Sequence, residues 1–219
     1  MTERAANRGR PRAVSRGMLQ EAAFELFLEQ GYDRTTVDHI ATRAGVSRAT
    51  FFNYFGAKSD VFWVDVDDAL DALADAFGQL PASAGSDPIA IASNALVSIA
   101  AEFGAARVPW VLTQYDAIGG AGELQASAMS RLSRFAGLLE RFIERQGDRS
   151  ASRPPVDRAA PPHSASFPIP RAAAYSLAGA VVAAAREWAD AGTGRGGLQQ
   201  YVHAAVGPLA AAFAASGSR

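Results

Sequence analysis

Between Ser47 and Lys58 the chain sets out two hydroxyls, a guanidinium, a carboxamide, a phenol and an ammonium: Ser47, Arg48, Thr50, Asn53, Tyr54 and Lys58. These groups donate and accept hydrogen bonds, but they form no acid/base pair, nucleophile or metal-ligand set. On one short helix, Arg48, Thr50 and Asn53 face outward. Arginine can pair with guanine and asparagine with adenine, while threonine reaches a phosphate or a thymine methyl. Ser47 is placed to cap that helix and touch a phosphate. Lys58 opens the next helix, where its ammonium and the free backbone N–H groups favour a phosphate. The chemistry on offer is recognition of a base-paired polyanion.

Such residues need a scaffold, and "TTVDHIATRAGVSRATFFNYF" (35–55) supplies one. A short helix over about 36–44 buries Val37, Ile40 and Ala41 and takes its cap from Thr36. Gly45 occupies the tight turn, where we expect a positive φ and too little room for a side chain. A third helix follows over about 48–54. Ile40, Ala41, Val46 and Phe51 pack the two together, making a helix-turn-helix whose second helix suits the major groove. Upstream, Leu19, Ala22, Ala23, Leu26 and Phe27 recur at helical spacing until Gly31.

Charge is distributed to match. The net charge is −1, yet residues 1–16 hold five arginines against one glutamate, and residues 61–219 hold 12 basic and 15 acidic residues. A basic head on a mildly acidic body suits contact with a polyanion at one end. Arg8, Arg10 and Arg12, in "RGRPR", suit either a narrow minor groove or a solvated basic tail that adds only phosphate attraction. The absence of cysteine excludes disulfides, thiolate chemistry and cysteine zinc sites. His39, His163 and His203 are isolated, and Asp67, Asp68, Asp71 and Asp75 read as a solvated helix face rather than a calcium loop. "GTGRGG" (192–197) follows a helix rather than a strand and reads as a linker, not a nucleotide loop. No apolar run reaches the roughly 20 residues of a bilayer span, so we expect a cytoplasmic protein without membrane contact, and no enzyme.

The organisation expected is all-α in three parts. Residues 1–14 are a basic, disordered arm, 15–60 the helix-turn-helix domain, and 61–219 a larger helical domain with a mobile proline-rich loop at 148–170. A long helix from Lys58 carries Trp63, Val66, Leu70, Leu73 and Phe77. Asp87-Pro88 starts another, and 124–142 marks a third, ending near Gly147. Two final helices carry Leu177, Val181 and Trp188, then Tyr201, Val202 and Leu209. Pro208 should bend or shorten the last.

The stretch "AAFELFLEQGYDRTTVDHIATRAGVSRATFFNYFGAKSDVF" resembles the TetR family of transcriptional regulators, in order and at the family's spacing. The resemblance is strong over residues 15–65. It implies DNA contact by Thr36, Ser47, Arg48, Thr50, Asn53, Tyr54 and Lys58. Phe52 departs from the pattern: the family often has a tyrosine there with its hydroxyl on a phosphate, and Tyr54 is the candidate to replace that bond in part. The resemblance also implies a homodimer joined through the last two helices as a four-helix bundle, with Leu177, Val181, Trp188, Tyr201, Val202 and Leu209 at the interface. The apolar stripes of those helices point the same way, though they could also close the core of one protomer. The family's middle helices enclose a small-molecule effector; the candidates here are Phe103, Arg107, Trp110, Gln114, Tyr115 and Trp188. "RATFFNYFGAKSDVFWVDVDDAL" is similar to a TetR subgroup that includes mycofactocin regulators, implying an acyl-CoA-like ligand, with Arg107, Arg131 and Arg134 available for its phosphates. The function expected is a repressor released from a palindromic operator by that effector. The alternative is a dimeric DNA-binding regulator without a small ligand, controlled by a protein partner.

Overall fold

The computed structural model describes residues 15–80, 87–104, 108–113, 121–150 and 169–217. The described residues are helical, with no strand among them. The elements are α1 (Arg16–Gln30), α2 (Val37–Arg43), α3 (Arg48–Phe52), a 3₁₀ segment (Lys58–Trp63), α4 (Val64–Gln79), α5 (Pro88–Ala100), α6 (Trp110–Thr113), α7 (Ala121–Ser150), α8 (Ile169–Asp190) and α9 (Leu198–Gly217). The chain divides into two units after Val64.

The first unit is built on caps and aromatics. Ser15, Thr36 and Ser47 each accept a bond from the first turn of the helix they start, through Met18, His39 and Thr50 backbone N–H. Each such cap contributes about 1 kcal/mol. Leu19, Ala23, Ile40, Phe51 and Val61 are completely buried. Phe24, Phe27, Tyr32 and Phe62 pack ring to ring, with centroids 5.2 to 6.2 Å apart. Arg43 of α2 reaches back to Glu25 and Glu29 of α1 at 3.1 and 2.6 Å. Accepting those bonds from Arg43 holds the Glu29 carboxyl below its ordinary range.

Gly45 has φ +69°, as the turn requires, but nothing lies within 4 Å of where its Cβ would stand. The expected crowding is absent; conformation alone selects glycine. Gly45→Ala should therefore cost about 1–2 kcal/mol, the penalty of a left-handed L-residue. Gly45→Asn should cost less, because asparagine tolerates that region. Denaturant midpoints check this, and equal losses for the two variants would point to crowding instead.

The second unit buries Leu70, Leu73 and Phe77 of α4, Ile89, Ala92 and Leu96 of α5, Phe135, Leu139 and Phe142 of α7, Leu177 and Trp188 of α8, and Val202 and Val206 of α9 in one core. Phe77 stacks on Phe142 with centroids 4.1 Å apart. Helix α8 lies against α7 and α9, and α5 against the same two. Asp87 caps α5 through Ile89 N–H at 2.9 Å, with Pro88 in its first turn. The turn Gly192–Gly194 links α8 to α9, so the glycine-rich stretch is a linker.

Four expectations change. The helix expected from Lys58 begins as a 3₁₀ segment and becomes α-helical only at Val64. Helix α7 continues past Gly147 to Ser150, and α8 starts at Ile169, so both ends of the expected 148–170 loop are helical; residues 151–168 lie outside the described residues. Of the two outcomes expected at Pro208, shortening is absent: α9 runs through it. Pro208 and Ala204, one turn back, are exposed, so water can take the carbonyl that proline leaves unbonded. Asp67 and Asp71 are not a merely solvated face. Arg131 donates to both Asp67 oxygens at 2.9 Å, with the pair's side chains only 15% and 13% exposed, and Arg134 binds Asp71.

Candidate nucleic-acid interface

Helix α3 is short because it is bounded at both ends. Ser47 caps it at 3.1 Å through Thr50 N–H, and the Asn53 N–H closes its C-terminal end on Ala49 O at 3.1 Å. Phe51 and Phe55 anchor its inner side and are buried, with ring centroids 5.3 Å apart. That leaves Ser47, Arg48, Phe52, Asn53 and Tyr54 exposed and Thr50 half-buried. The Thr50 hydroxyl lies 2.9 Å from Ser47 Oγ, so these two hydroxyls act as one unit at the helix start. Thr36 is exposed and engaged as a cap. Its hydroxyl accepts from His39 N–H at 3.2 Å, and its own N–H donates to His39 Nδ1 at 3.4 Å.

Arg48 is held from two sides. Its Nη1 donates to Asp38 Oδ2 of α2 at 2.7 Å, and its guanidinium lies over the Phe52 ring, 5.3 Å from the centroid. Neither contact is buried: Arg48 and Asp38 side chains are 58% and 61% exposed. More than half of the Arg48 side chain therefore stays exposed. Asp38, in the first turn of α2, is the residue that sequence reasoning missed. It stands ten positions from Arg48, and only the turn at Gly45 brings the two together.

Lys58 is placed differently from the expectation. Its ammonium donates to Tyr32 O at 2.7 Å and Thr35 O at 2.9 Å, and lies 3.8 Å from the Tyr32 ring centroid. It clamps the α1–α2 connection, where Thr35 is buried and its hydroxyl donates to Gly31 O at 2.8 Å. The N–H groups ahead of Lys58 are occupied too: Gly56 and Ala57 both donate to the Asp60 carboxylate at 3.0 Å. A carboxylate already at that helix start disfavours a phosphate. In this structure Lys58 is a brace rather than an anion site. Arg8, Arg10 and Arg12 lie outside the described residues.

The other candidates scatter. Arg107, Gln114 and Tyr115 lie outside the described residues. Phe103 and Trp110 are half-buried. Trp188 is completely buried and its indole N–H donates to Gly196 O at 2.8 Å, so its polar atom already has a partner in the α8–α9 connection. A cavity of about 310 Å³ between α4 and α7 is lined by Phe77, Leu80, Leu138, Arg141 and Arg145 among others, and one of about 410 Å³ by Ile89, Ile143 and Pro170 among others. Of the effector candidates among the described residues, Phe103, Trp110 and Trp188, none lines either cavity. Arg131 and Arg134, offered for phosphates, are committed to Asp67 and Asp71. Of the dimer candidates, Leu177, Trp188 and Val202 are buried inside their own protomer, which corrects their assignment to a subunit interface. Val181, Tyr201 and Leu209 are half-buried against the same core. The exposed large apolar side chains of α8 are Ile169, Tyr175 and Val182. Among the described residues no group of three or more His, Asp or Glu side chains is placed to hold a metal, and no helix is long and apolar enough to cross a membrane.

Residues 19–62 match the family described as bacterial regulatory proteins, tetR family. The chain is 31% identical over 131 residues, 60% of its length, to the HTH-type transcriptional regulator TcmR of Streptomyces glaucescens. It is 37% identical over 57 residues, 26% of its length, to MftR of Mycobacterium tuberculosis, whose name connects it with mycofactocin biosynthesis. The matched segments span 53% of TcmR and 29% of MftR. In fold the chain is similar to Thermus thermophilus FadR, a TetR-family repressor solved with lauroyl-CoA. The TM-score is 0.55 at 22% identity, over 89% of this chain and 93% of that one. The family matched is one of regulators, not of enzymes.

Proposed function

We propose that this chain, which belongs to the TetR family of bacterial regulatory proteins, is a dimeric repressor released from a palindromic operator by a small organic effector. The observation that carries the proposal is the exposed edge of α3 and its two ends: Ser47, Arg48, Asn53 and Tyr54 stand outward on or beside a helix that two buried phenylalanines hold in place. One such helix reads few base pairs. Two related by a twofold axis read half-sites about 34–36 Å apart, or a multiple of that spacing. The amino-terminal arginines add minor-groove or phosphate contacts that strengthen binding at low salt.

The effector acts by population shift. It binds the second unit of the DNA-free state better than that of the DNA-bound state, and α4, which follows the reading head directly in the chain, carries the difference. A tenfold loss of operator affinity needs only about 1.4 kcal/mol of differential binding. Acyl-CoA is the first class to test, because FadR of similar fold was solved with lauroyl-CoA.

The test is selection from a random duplex pool with the purified full-length protein, followed by footprinting. The expected product is an inverted repeat. Medium- and long-chain acyl-CoAs are then screened by thermal shift. One that raises the melting temperature and binds the DNA-free state preferentially should also release the repeat, since coupling is reciprocal. Enrichment of no inverted repeat at low salt defeats the DNA-reading assignment. Enrichment of a repeat that no acyl-CoA releases removes that effector class alone.

A further inference from the structure

We propose that Asp38 is a specificity-determining residue: its carboxylate buttresses Arg48 against the Phe52 ring so that the guanidinium meets a guanine in one orientation and phosphates poorly. The proposal rests on the DNA-reading assignment of α3 and names a residue outside that helix as part of the readout.

Three observations carry it. Arg48 Nη1 donates to Asp38 Oδ2 at 2.7 Å, which ties up one end of the guanidinium fork. The Phe52 ring lies one helical turn on and supports the guanidinium, its centroid 5.3 Å from Arg48 Cζ. It is a ring without a hydroxyl, so it offers an arginine a platform and a phosphate nothing. Both members of the ion pair and the ring are exposed beside the outward residues of α3, so the arrangement is solvated and ready for a ligand.

The physical consequence follows from what an unsupported arginine does. A long, flexible guanidinium beside duplex DNA finds phosphates first, and that contact carries no sequence information. A carboxylate partner changes the balance. It keeps Arg48 in one rotamer, cancels much of its attraction for the backbone, and repels phosphates itself. A guanine presents O6 and N7 as a paired acceptor, and the unengaged edge of the fork can bind both while Asp38 retains its bond. Asp38 thus lowers affinity for every sequence and lowers it least where a guanine faces Arg48. An isolated surface ion pair adds little to stability, so removing it leaves the fold intact and exposes the effect on recognition.

The experiment uses the full-length protein, the duplex enriched by wild type, and a scrambled duplex of equal length and composition. Asp38→Asn keeps the shape and removes the charge. It should bind the scrambled duplex more tightly, with a steeper salt dependence, and lose about tenfold of the ratio between the two duplexes, the low end of what one base contact discriminates. The base position that loses preference should be the one lost in Arg48→Ala. In the Arg48→Ala background, Asp38→Asn should leave the ratio unchanged. Three results overturn the proposal: an unchanged ratio in Asp38→Asn, an equal change with and without Arg48, which is plain charge repulsion, or loss of preference at a different base pair, which would make Asp38 a reader in its own right. Failure of wild type to enrich any duplex defeats the DNA-reading assignment itself, and this inference with it.

Discussion

Arg48→Ala should weaken binding to the selected inverted repeat by roughly a hundredfold or more while leaving the fold, the oligomeric state and any effector affinity unchanged. The magnitude follows from symmetry. A bidentate arginine–guanine contact discriminates by about 1–3 kcal/mol, and a twofold-symmetric complex loses it twice. At about 1.4 kcal/mol per factor of ten, even the lower half of that range, about 2–4 kcal/mol for two contacts, gives roughly one and a half to three orders of magnitude. The stability expectation follows from exposure: the Arg48 side chain is 58% exposed, and its partners Asp38 and Phe52 are exposed as well. Substitutions at such positions stay within about 0.5 kcal/mol. Footprinting beside a thermal melt separates the two effects. A variant that melts as wild type and still protects the repeat at wild-type concentrations would remove α3 as the reading helix. Loss at one base pair per half-site, with the others still preferred, would identify the base that Arg48 reads.

The head was legible in the sequence because its signals are local. Thr36 and Ser47 stand immediately before the helices they cap, and Gly45 stands where the backbone takes a positive φ. Each is decided within four residues, where propensity and capping rules operate. What the sequence concealed is decided at longer range. Lys58 looks like an anion ligand because it is a lysine at a helix start. Whether it serves as one depends on Tyr32 and Thr35, 26 and 23 residues away, whose carbonyls it binds, and on Asp60 filling the N–H groups beside it. Asp38 looks like an ordinary first-turn acid until the turn folds it onto Arg48. Arg131 and Arg134 look available to an anion until Asp67 and Asp71, more than sixty residues earlier, are seen to hold them. Charges that seem free along a chain tend to find each other in the fold, so counting them overstates the ligand sites.

The same limit separates the two faces of α8, and it sets the second large effect. An alanine-rich helix is apolar nearly all round, and its sequence does not say which face meets its own core. The structure turns Leu177 and Trp188 inward and leaves Tyr175 and Val182 outward at 48% and 51% exposure, with the exposed Gly179 between them and open space where its Cβ would be. On α9, Ala204, Pro208, Ala211 and Ala212 are exposed likewise. An outward apolar face on each of the last two helices is what the four-helix bundle of the proposed dimer would cover. Val182→Arg should therefore convert the proposed dimer to a folded monomer. In a symmetric interface the substitution buries two like charges without partners, at several kcal/mol each, whereas on a free surface it costs almost nothing. The operator then loses half of its contacts at once, and affinity should fall by at least as much as in Arg48→Ala. Sedimentation gives the mass and circular dichroism the helix content. Trp188→Ala is the contrasting variant: it removes a buried ring and its bond to Gly196, and should cost about 3–5 kcal/mol of stability. A Val182→Arg protein that remains a dimer and holds its operator would move the interface off α8. Monomers with native helix content and no operator binding would place the interface on the outward face of α8, and would show that reading the repeat requires two heads held at a fixed spacing.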